Sequence, residues 1–388
     1  MLDSGSPHRG SQDGARANGH SGGHSPRNGS HDTQLRPAGH IVPREQPIGT
    51  AVVGYGYWGP NLARNVAECS QLRLEALCDS DPAQLHLFRR RHPGARAVRD
   101  LDAVLVDPAV EAVVIATPPQ THAALATRAL RAGKHVLVEK PLATRLRDAL
   151  ALADLAAKSD RVLMPGHTFI YSPAVNAVRD LIRGGVVGDV HFVTSSRMNL
   201  GKYNGDGVVC DLAPHDLSIL LYWLEQPVVE VAASGSSVLR QGVSETAFMT
   251  LTFAHGQTAN VQISWLAPRK VRQMIVVGSQ RMVQYDDTAS DEPVRVYDRG
   301  LDISPPANFG EHQLIYRTGD VVIPRIEPRE PLRLELEDFA HAIRTGEEPR
   351  SSLALGIEIV AAVELAEASM RAGAKPLALV QAADRVAA

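Results

Sequence analysis

A chain of 388 residues is longer than one hydrophobic core usually serves, roughly 250 to 300 residues, so two cores are the starting expectation. Hydrophobic residues at 44% and charged residues at 21% exclude wholesale disorder, and a formal net charge of -3 with Lys and Arg spread among acids excludes a nucleic-acid surface. No apolar run suits a membrane span or a leader core, and Cys69, Cys78 and Cys210 are an odd trio without C-x-x-C spacing, so the expectation is a cytoplasmic protein without a membrane or nucleic-acid partner.

Residues 1–46 are rich in Gly, Ser, His, Asn, Arg and Pro and nearly empty of large apolar groups, which predicts a disordered tail. Its histidines (His8, His20, His24, His31, His40) are irregularly spaced and suggest no metal site. Folded pattern starts with the apolar run 49–53, then a glycine turn, then helical periodicity over 61–66. Apolar runs follow at 72–78, 110–116, 135–138 and 162–164, alternating with helix-like stretches at 101–106, 122–132 and 146–157. The run Arg89-Arg90-Arg91 suits a solvated helix end. This alternation predicts a Rossmann-type α/β domain over 47–166, a doubly wound parallel sheet covered on both faces. From about residue 190 strand-like segments succeed one another with only turns between, at 228–233, 247–253, 258–265, 271–277, 282–285 and 294–297. One helix (212–224) precedes this series and two (334–345, 353–370) close it. The reading for 167–388 is an α+β domain with a large, mostly antiparallel open sheet, its terminal helices free to pack back on the first domain.

Gly54-Tyr55-Gly56-Tyr57-Trp58-Gly59 is G-x-G-x-x-G set between a strand and a helix. Its first glycine permits the turn, the second lets a pyrophosphate approach the backbone, and the third lets helix and strand pack closely. The helix N-terminus offers free N–H groups to phosphate. Asp79 ends the second strand about 20 residues on, where a carboxylate accepts from a ribose diol and repels a 2'-phosphate; no Arg follows in Ser80-Asp81-Pro82. NAD is therefore expected over NADP.

Three more stretches carry candidate chemistry. Thr117, Pro118 and His122 follow a strand C-terminus, where open parallel sheets bind ligands, and serve either the cofactor or a rigid helix start. Val138-Glu139-Lys140-Pro141 ends the next strand, from which the Lys140 ammonium can reach the cofactor cleft and hold a substrate oxygen. In Asp211-Leu212-Ala213-Pro214-His215-Asp216 the i, i+4 spacing lets the Asp211 carboxylate orient the His215 imidazole as a general acid/base, the other role for Asp211 being a helix cap. Asp-x3-His with an adjacent Cys matches no zinc spacing, so no metal is expected.

In this order the glycine turn, Glu139-Lys140-Pro141 and the Gly-x3-Asp-x3-His array of Gly207, Asp211 and His215 resemble the glucose-fructose oxidoreductase and inositol dehydrogenase family (Gfo/Idh/MocA), from about residue 47 to the C-terminal helix. The resemblance implies NAD(P) on the first domain, Lys140, Asp211 and His215 as the catalytic group, and sugars, inositols or nucleotide sugars as substrates. Asn199-Leu200-Gly201-Lys202-Tyr203 followed by Asp211-Leu212-Ala213-Pro214-His215-Asp216 is most similar to the nucleotide-sugar 3-dehydrogenase or 3-ketoreductase subgroup; Asn199 and Tyr203 precede the catalytic helix and are either sugar ligands through their polar ends or ordinary loop residues. Two departures fall by the substrate pocket: the glycine-rich approach to Asp211 is reduced to Gly207, and Ile170-Tyr171-Ser172-Pro173 stands for Arg-Phe-x-Pro, placing Tyr171 among the substrate candidates. The expectation is hydride transfer at a sugar carbinol or ketone by a homodimer or homotetramer joined through the second sheet. A free polyol or dihydrodiol dehydrogenase and a non-catalytic NAD sensor are the competing readings. In proton transfer His215 is the expected base and Lys140 its electrostatic partner, an assignment that reverses if Lys140 loses its proton.

Overall fold

The computed structural model describes residues 46–201, 205–304 and 313–379, so the expected tail up to residue 45 and Tyr203 lie outside the described residues. β1 (Ile48–Val53), α1 (Gly59–Glu68), β2 (Leu72–Cys78), α2 (Pro82–Arg91), β3 (Arg96–Val98), α3 (Asp102–Leu105), β4 (Ala112–Ile115), α4 (Pro119–Arg131), β5 (His135–Glu139), α5 (Leu146–Ser159) and β6 (Leu163–Gly166) build a six-stranded sheet. Its order is β3-β2-β1-β4-β5-β6, with every pairing parallel. This is the doubly wound order, which opens a ligand crevice at the strand C-termini where the order reverses between β1 and β4. β1 and β4 are buried along their whole length because helices cover both faces, so their sequences are continuous apolar runs.

A 3₁₀ turn (Thr168–Tyr171) and α6 (Pro173–Arg183) lead to β7 (Val190–Met198) and α7 (Gly207–Leu224). β8 (Val228–Ser236), β9 (Thr246–Phe253), β10 (Thr258–Ser264), β11 (Val271–Gly278), β12 (Met282–Asp286), β13 (Val294–Ser304) and β14 (Gln313–Val322) follow. α8 (Pro331–Thr345), α9 (Leu353–Arg371) and β15 (Leu377–Ala378) end the described chain. The nine-stranded sheet runs β14-β13-β12-β11-β7-β10-β9-β8-β15, antiparallel except where β7 meets β10. β7, central to this sheet, has no counterpart among the expected strands, because its inward positions after Val193 are Ser195 and Arg197, which break the apolar alternation. β3, β14 and α6 were likewise not anticipated.

α7 packs on this sheet, and the closing helices return to the first layer. Arg64 of α1 and Glu330 before α8 form an ion pair, with Asn65 Nδ2 donating to Glu330 at 2.9 Å. The backbone N–H of Leu146, opening α5, donates to Glu364 of α9 at 2.8 Å. A β-carbon at Gly356 of α9 would stand 2.7 Å from Pro165 Cγ, so the helix lies directly against β6. The two sheets therefore meet along the β5 and β6 ends, the 3₁₀ turn and α7.

Candidate active site

The glycine turn has the geometry its spacing implies. Gly54 has φ +95°, open to glycine at little cost, and a β-carbon there would press on Ala116 O at 2.6 Å. A β-carbon at Gly59 would lie 2.2 Å from Gly54 O, whereas at Gly56 it meets nothing within 4 Å. The third glycine thus serves packing, and the second leaves open space over the backbone for a ligand. Asp79 is held toward this turn: Tyr55 N–H donates to Oδ2 at 2.7 Å and Asp81 N–H to Oδ1 at 2.8 Å. A carboxylate has about four acceptor sites, so two remain for a diol. Arg99, distant in sequence, donates to Ser80 O at 3.3 Å and puts a guanidinium on the same loop. Tyr57 is exposed, Trp58 less so, and the Tyr55 ring is buried edge-on to Phe88. Thr117 Cγ2 lies 3.0 Å from the position of a Gly54 β-carbon, beside the turn, and Pro118 is exposed next to it.

His122 departs from the expected cofactor role. Its ring is buried, 1% exposed, and spans Pro141 O at 2.7 Å and Thr117 O at 2.8 Å. It pins the loop after β4 to the loop after β5, the rigid-loop reading of this stretch. Burial lowers its pKa, as expected for an imidazole shut away from water.

Lys140 leaves the end of β5 and crosses to α7, where Nζ donates to Asp211 O at 2.8 Å and approaches Asp211 Oδ1 at 3.3 Å. Gly207, with φ +83°, starts the helix earlier than expected, which puts Pro214 in its interior. Proline has no N–H to bond Cys210 O and its ring crowds that carbonyl, so this turn is loosened. The other carboxylate oxygen of Asp211 accepts from Trp265 Nε1, at the end of β10, at 3.1 Å. A partly exposed ion pair like Lys140–Asp211, with side chains 20% and 29% exposed, contributes on the order of 1 kcal/mol or less to stability. Its consequence is placement of the ammonium, which has three donors and uses two on Asp211.

This corrects the expected Asp211–His215 pairing: the Asp211 carboxylate is oriented by Lys140 and Trp265. The His215 ring packs edge-on to Phe169, centroids 5.0 Å apart at 70°. Arg197 and Arg272, in register across β7 and β11, approach the same Phe169 ring at 4.5 and 5.7 Å. Burial, then the charges of Lys140, Arg197 and Arg272, hold the His215 pKa well below the usual imidazole value, so the ring is neutral near pH 7. Asp216, the next residue, is structural: Oδ2 accepts from Arg197 Nε at 2.7 Å and Oδ1 from Ser195 Oγ at 2.9 Å, in a buried clamp of α7 onto β7.

Tyr171 is also corrected. It is 1% exposed, its hydroxyl donates to Asp338 Oδ2 at 2.7 Å and accepts from Ser351 N–H at 3.1 Å, and it ties the 3₁₀ turn to α8 and the start of α9. Asn199 is half-buried at the end of β7, its N–H donating to Ser264 O at 3.1 Å. Sequence reasoning missed Trp265, Phe169, Arg197 and the contact across the cleft between Gln120 of α4 and Asp206 before α7. Only a strand-end aromatic, Trp265, gave any signal.

The residues present fit a nicotinamide dinucleotide: the open backbone at Gly56, the held Asp79, and Glu139 Oε1, a buried oxygen without a hydrogen-bond partner among the described residues at the β5 end. Gly54, Gly56, Gly59 and Asp79 would hold its pyrophosphate and ribose, with Thr117, Glu139 and Lys140 toward the nicotinamide. Fold and site together define a dinucleotide-dependent oxidoreductase. Residues 48–167 match the profile of an oxidoreductase family with an NAD-binding Rossmann fold, and residues 175–284 match the GFO/IDH/MocA C-terminal domain. The chain belongs to the GFO/IDH/MocA family and is an NAD-binding oxidoreductase.

Among its relatives, UDP-N-acetylglucosamine 3-dehydrogenase of Acidithiobacillus ferrooxidans is 29% identical over 325 residues, 81% of this chain and 97% of that one. A crystal structure of that dehydrogenase superposes with TM-score 0.70 and 27% identity, covering 84% of this chain and 98% of the other. The 1-carboxy-3-chloro-3,4-dihydroxycyclo hexa-1,5-diene dehydrogenase of Comamonas testosteroni is 32% identical over 209 residues, 51% of this chain and only about half, 53%, of that relative's length. A dTDP-3,4-didehydro-2,6-dideoxy-alpha-D-glucose 3-reductase of Streptomyces violaceoruber is 46% identical over 103 residues, 26% of this chain and 30% of that one. Among the described residues no helix is long and apolar enough to cross a membrane, and no group of His, Cys, Asp or Glu could hold a metal ion.

Proposed function

We propose that this enzyme moves a hydride between NAD and C3 of a nucleotide-linked sugar, as a dehydrogenase or the corresponding ketoreductase. The observation that carries the reading is Lys140, an ammonium that leaves the cofactor sheet and is oriented by Asp211 of the other layer, with two of its three donors engaged among the described residues. NAD, when bound, supplies the hydride chemistry. Lys140 is the proton-transfer residue: its third N–H points a proton at the substrate oxygen for reduction, and the same nitrogen takes the hydroxyl proton in oxidation by microscopic reversibility. His215, neutral and backed by Phe169, orients the substrate hydroxyl through one donor and one acceptor. Asn199 flanks the same opening, and the likeness to UDP- and dTDP-sugar enzymes supports a nucleotide-linked substrate.

Phe192 and Phe248 are exposed large apolar residues on the strands of the second sheet, which supports pairing of that sheet with a second copy in a dimer or tetramer. Light scattering at micromolar concentration checks it, a monomer being the contrary result. The function is tested by turnover of a panel of UDP- and dTDP-sugars, free polyols and dihydrodiols with NAD or NADP. Turnover of a free polyol or dihydrodiol with no nucleotide-sugar activity would replace the reading.

A further inference from the structure

Four histidines use their ring nitrogens in different ways. His122 places both against backbone carbonyls, and His135 Nδ1 accepts from Val162 N–H at 3.1 Å. Both nitrogens of His167 are buried and unpartnered. In His215 no hydrogen bond among the described residues engages the ring, yet its nitrogens are not among the buried unpartnered atoms, so they stay within reach of a ligand. Packing therefore fixes this ring: it is half-buried and stands edge-on to Phe169 of the 3₁₀ turn, centroids 5.0 Å apart at 70°.

Phe169 is itself held by charge. Arg197 and Arg272 stand directly opposite each other on β7 and β11, an arrangement in which like charges repel. Each has a carboxylate, Asp216 at 2.7 Å for Arg197 and Asp287 at 2.8 Å for Arg272. Each also brings its guanidinium to the Phe169 ring, 4.5 and 5.7 Å from the centroid. Arg197 Nη1 is buried without an acceptor among the described residues, and the negative face of an aromatic ring is what remains to take it. An aliphatic side chain at 169 would fill space but offer no such face.

We infer that Phe169 is a positioning residue for the acid/base site: held by the Arg197 guanidinium, it fixes the plane of the His215 imidazole and so aims both ring nitrogens at the substrate hydroxyl. The contacts form a column from β7 through the 3₁₀ turn to α7, which carries His215. The effect on turnover rests on the proposed reading of His215; the placement of its ring does not.

The charged and titratable groups facing His215 are Lys140 from the end of β5, His167 from the end of β6, Arg197 from β7 and Arg272 from β11. Burial first, and these groups second, hold the imidazole well below its usual value. Taking away the Phe169 ring admits water, which solvates the imidazolium and screens the cations, so protonation becomes easier.

The test is 15N NMR of the full chain labelled at histidine, without substrate, across a pH titration, with the His215 signal assigned by its loss in His215→Asn. The wild-type ring should stay neutral well below about pH 6.5, the ordinary imidazole value. In Phe169→Leu it should take its proton about one pH unit or more higher. With the substrate in place, kcat should fall about ten- to a hundredfold, the worth of a small misplacement, at unchanged KM for NAD. Phe169→Tyr, which keeps the ring, should leave both close to wild type. Should the leucine variant fail to fold, Phe169→Met serves, with the same expectations. A wild-type His215 that titrates near about 6.5, or a folded variant without the ring whose His215 titrates as in the wild type, overturns the inference. Because the spectra need no substrate, a chain inactive on every nucleotide sugar still passes or fails.

Discussion

The nucleotide-binding turn and the acid/base site differ in how far the chain travels to build them. The turn is local: Tyr55 and the carboxylate that holds it, Asp79, are 24 positions apart and belong to one β-α-β unit. The acid/base site is not: Lys140 and Asp211 are 71 positions apart, Asp211 and Trp265 are 54, and they come from both sheets. Spacing fixes geometry only within a unit whose local structure is already decided. Between units, a residue's partner depends on how the layers dock, which is why Asp211 faces Lys140 and Trp265 while i, i+4 spacing alone offered it His215.

The sharpest way to break this contrast is at Lys140. Lys140→Ala should lower turnover by about two to four orders of magnitude, the usual worth of a positioned proton-transfer group, and change NAD affinity much less. Asp211→Asn should lower kcat in the wild-type background and add little on top of Lys140→Ala, because it acts through that ammonium. In a His215→Ala background it should add in full. If Asp211→Asn is instead silent on His215→Ala, the local i, i+4 pairing governs after all.

Next in size is the clamp at Asp216. Asp216→Ala leaves the buried Arg197 guanidinium without its carboxylate and should cost about 3–5 kcal/mol in denaturant unfolding. Loss of less than about 1 kcal/mol would show that Arg197 finds another partner. Asp211 and Asp216 look alike in the sequence, five apart around one His, yet one orients a reacting group and the other holds a helix down.

That pair marks where legibility ended. The parallel sheet, most of the second sheet and the backbone geometry of the glycine turn at Gly54 and Gly59 were readable because apolar runs and glycine spacing report burial and backbone directly. β7 was not, since its inward Ser195 and Arg197 are polar for the sake of a tertiary clamp. His122 and Tyr171 sit where cofactor and substrate ligands were expected, but their polar atoms are spent on backbone carbonyls and on Asp338 and Ser351. Nothing in residue type separates a buried staple from a ligand.

A smaller effect belongs to the histidines. His135 Nδ1 accepts from Val162 N–H at 3.1 Å, and burial, then Arg161, hold its pKa down at about 4. Its folded value lies below the unfolded one, so as pH falls from about 6.5 toward 4 the unfolded chain takes a proton that the folded chain refuses, and stability falls. Glu139, held up at about 7, works the other way and loses its contribution as pH rises from about 4.5 to 7. His135→Asn should therefore make the acid limb of the melting profile shallower, by up to about 1.4 kcal/mol per pH unit, and leave the neutral limb alone. An unchanged acid limb would mean that His135 is protonated in the fold.

The smallest effect tests the local half of the contrast. Asp79 is held by two backbone N–H groups and keeps acceptor sites for a ribose diol, while Arg99 stands on the adjacent Ser80 carbonyl. A carboxylate at this position repels a 2'-phosphate, and a guanidinium nearby attracts one, so cofactor choice rests on which of the two is felt more strongly. Wild type should prefer NAD because Asp79 faces the turn through Tyr55 N–H, whereas Arg99 is exposed and screened by solvent. In Asp79→Ser the efficiency with NAD should fall about tenfold, the worth of one hydrogen bond to a charged group. Efficiency with NADP should rise, and Arg99→Ala on top should remove the rise. Melting temperature must be followed alongside, since serine keeps only part of the bonding to Tyr55 and Asp81. If the NAD to NADP ratio is the same in wild type and Asp79→Ser at equal stability, Asp79 merely braces the turn, and even a motif built within one unit does not disclose its ligand.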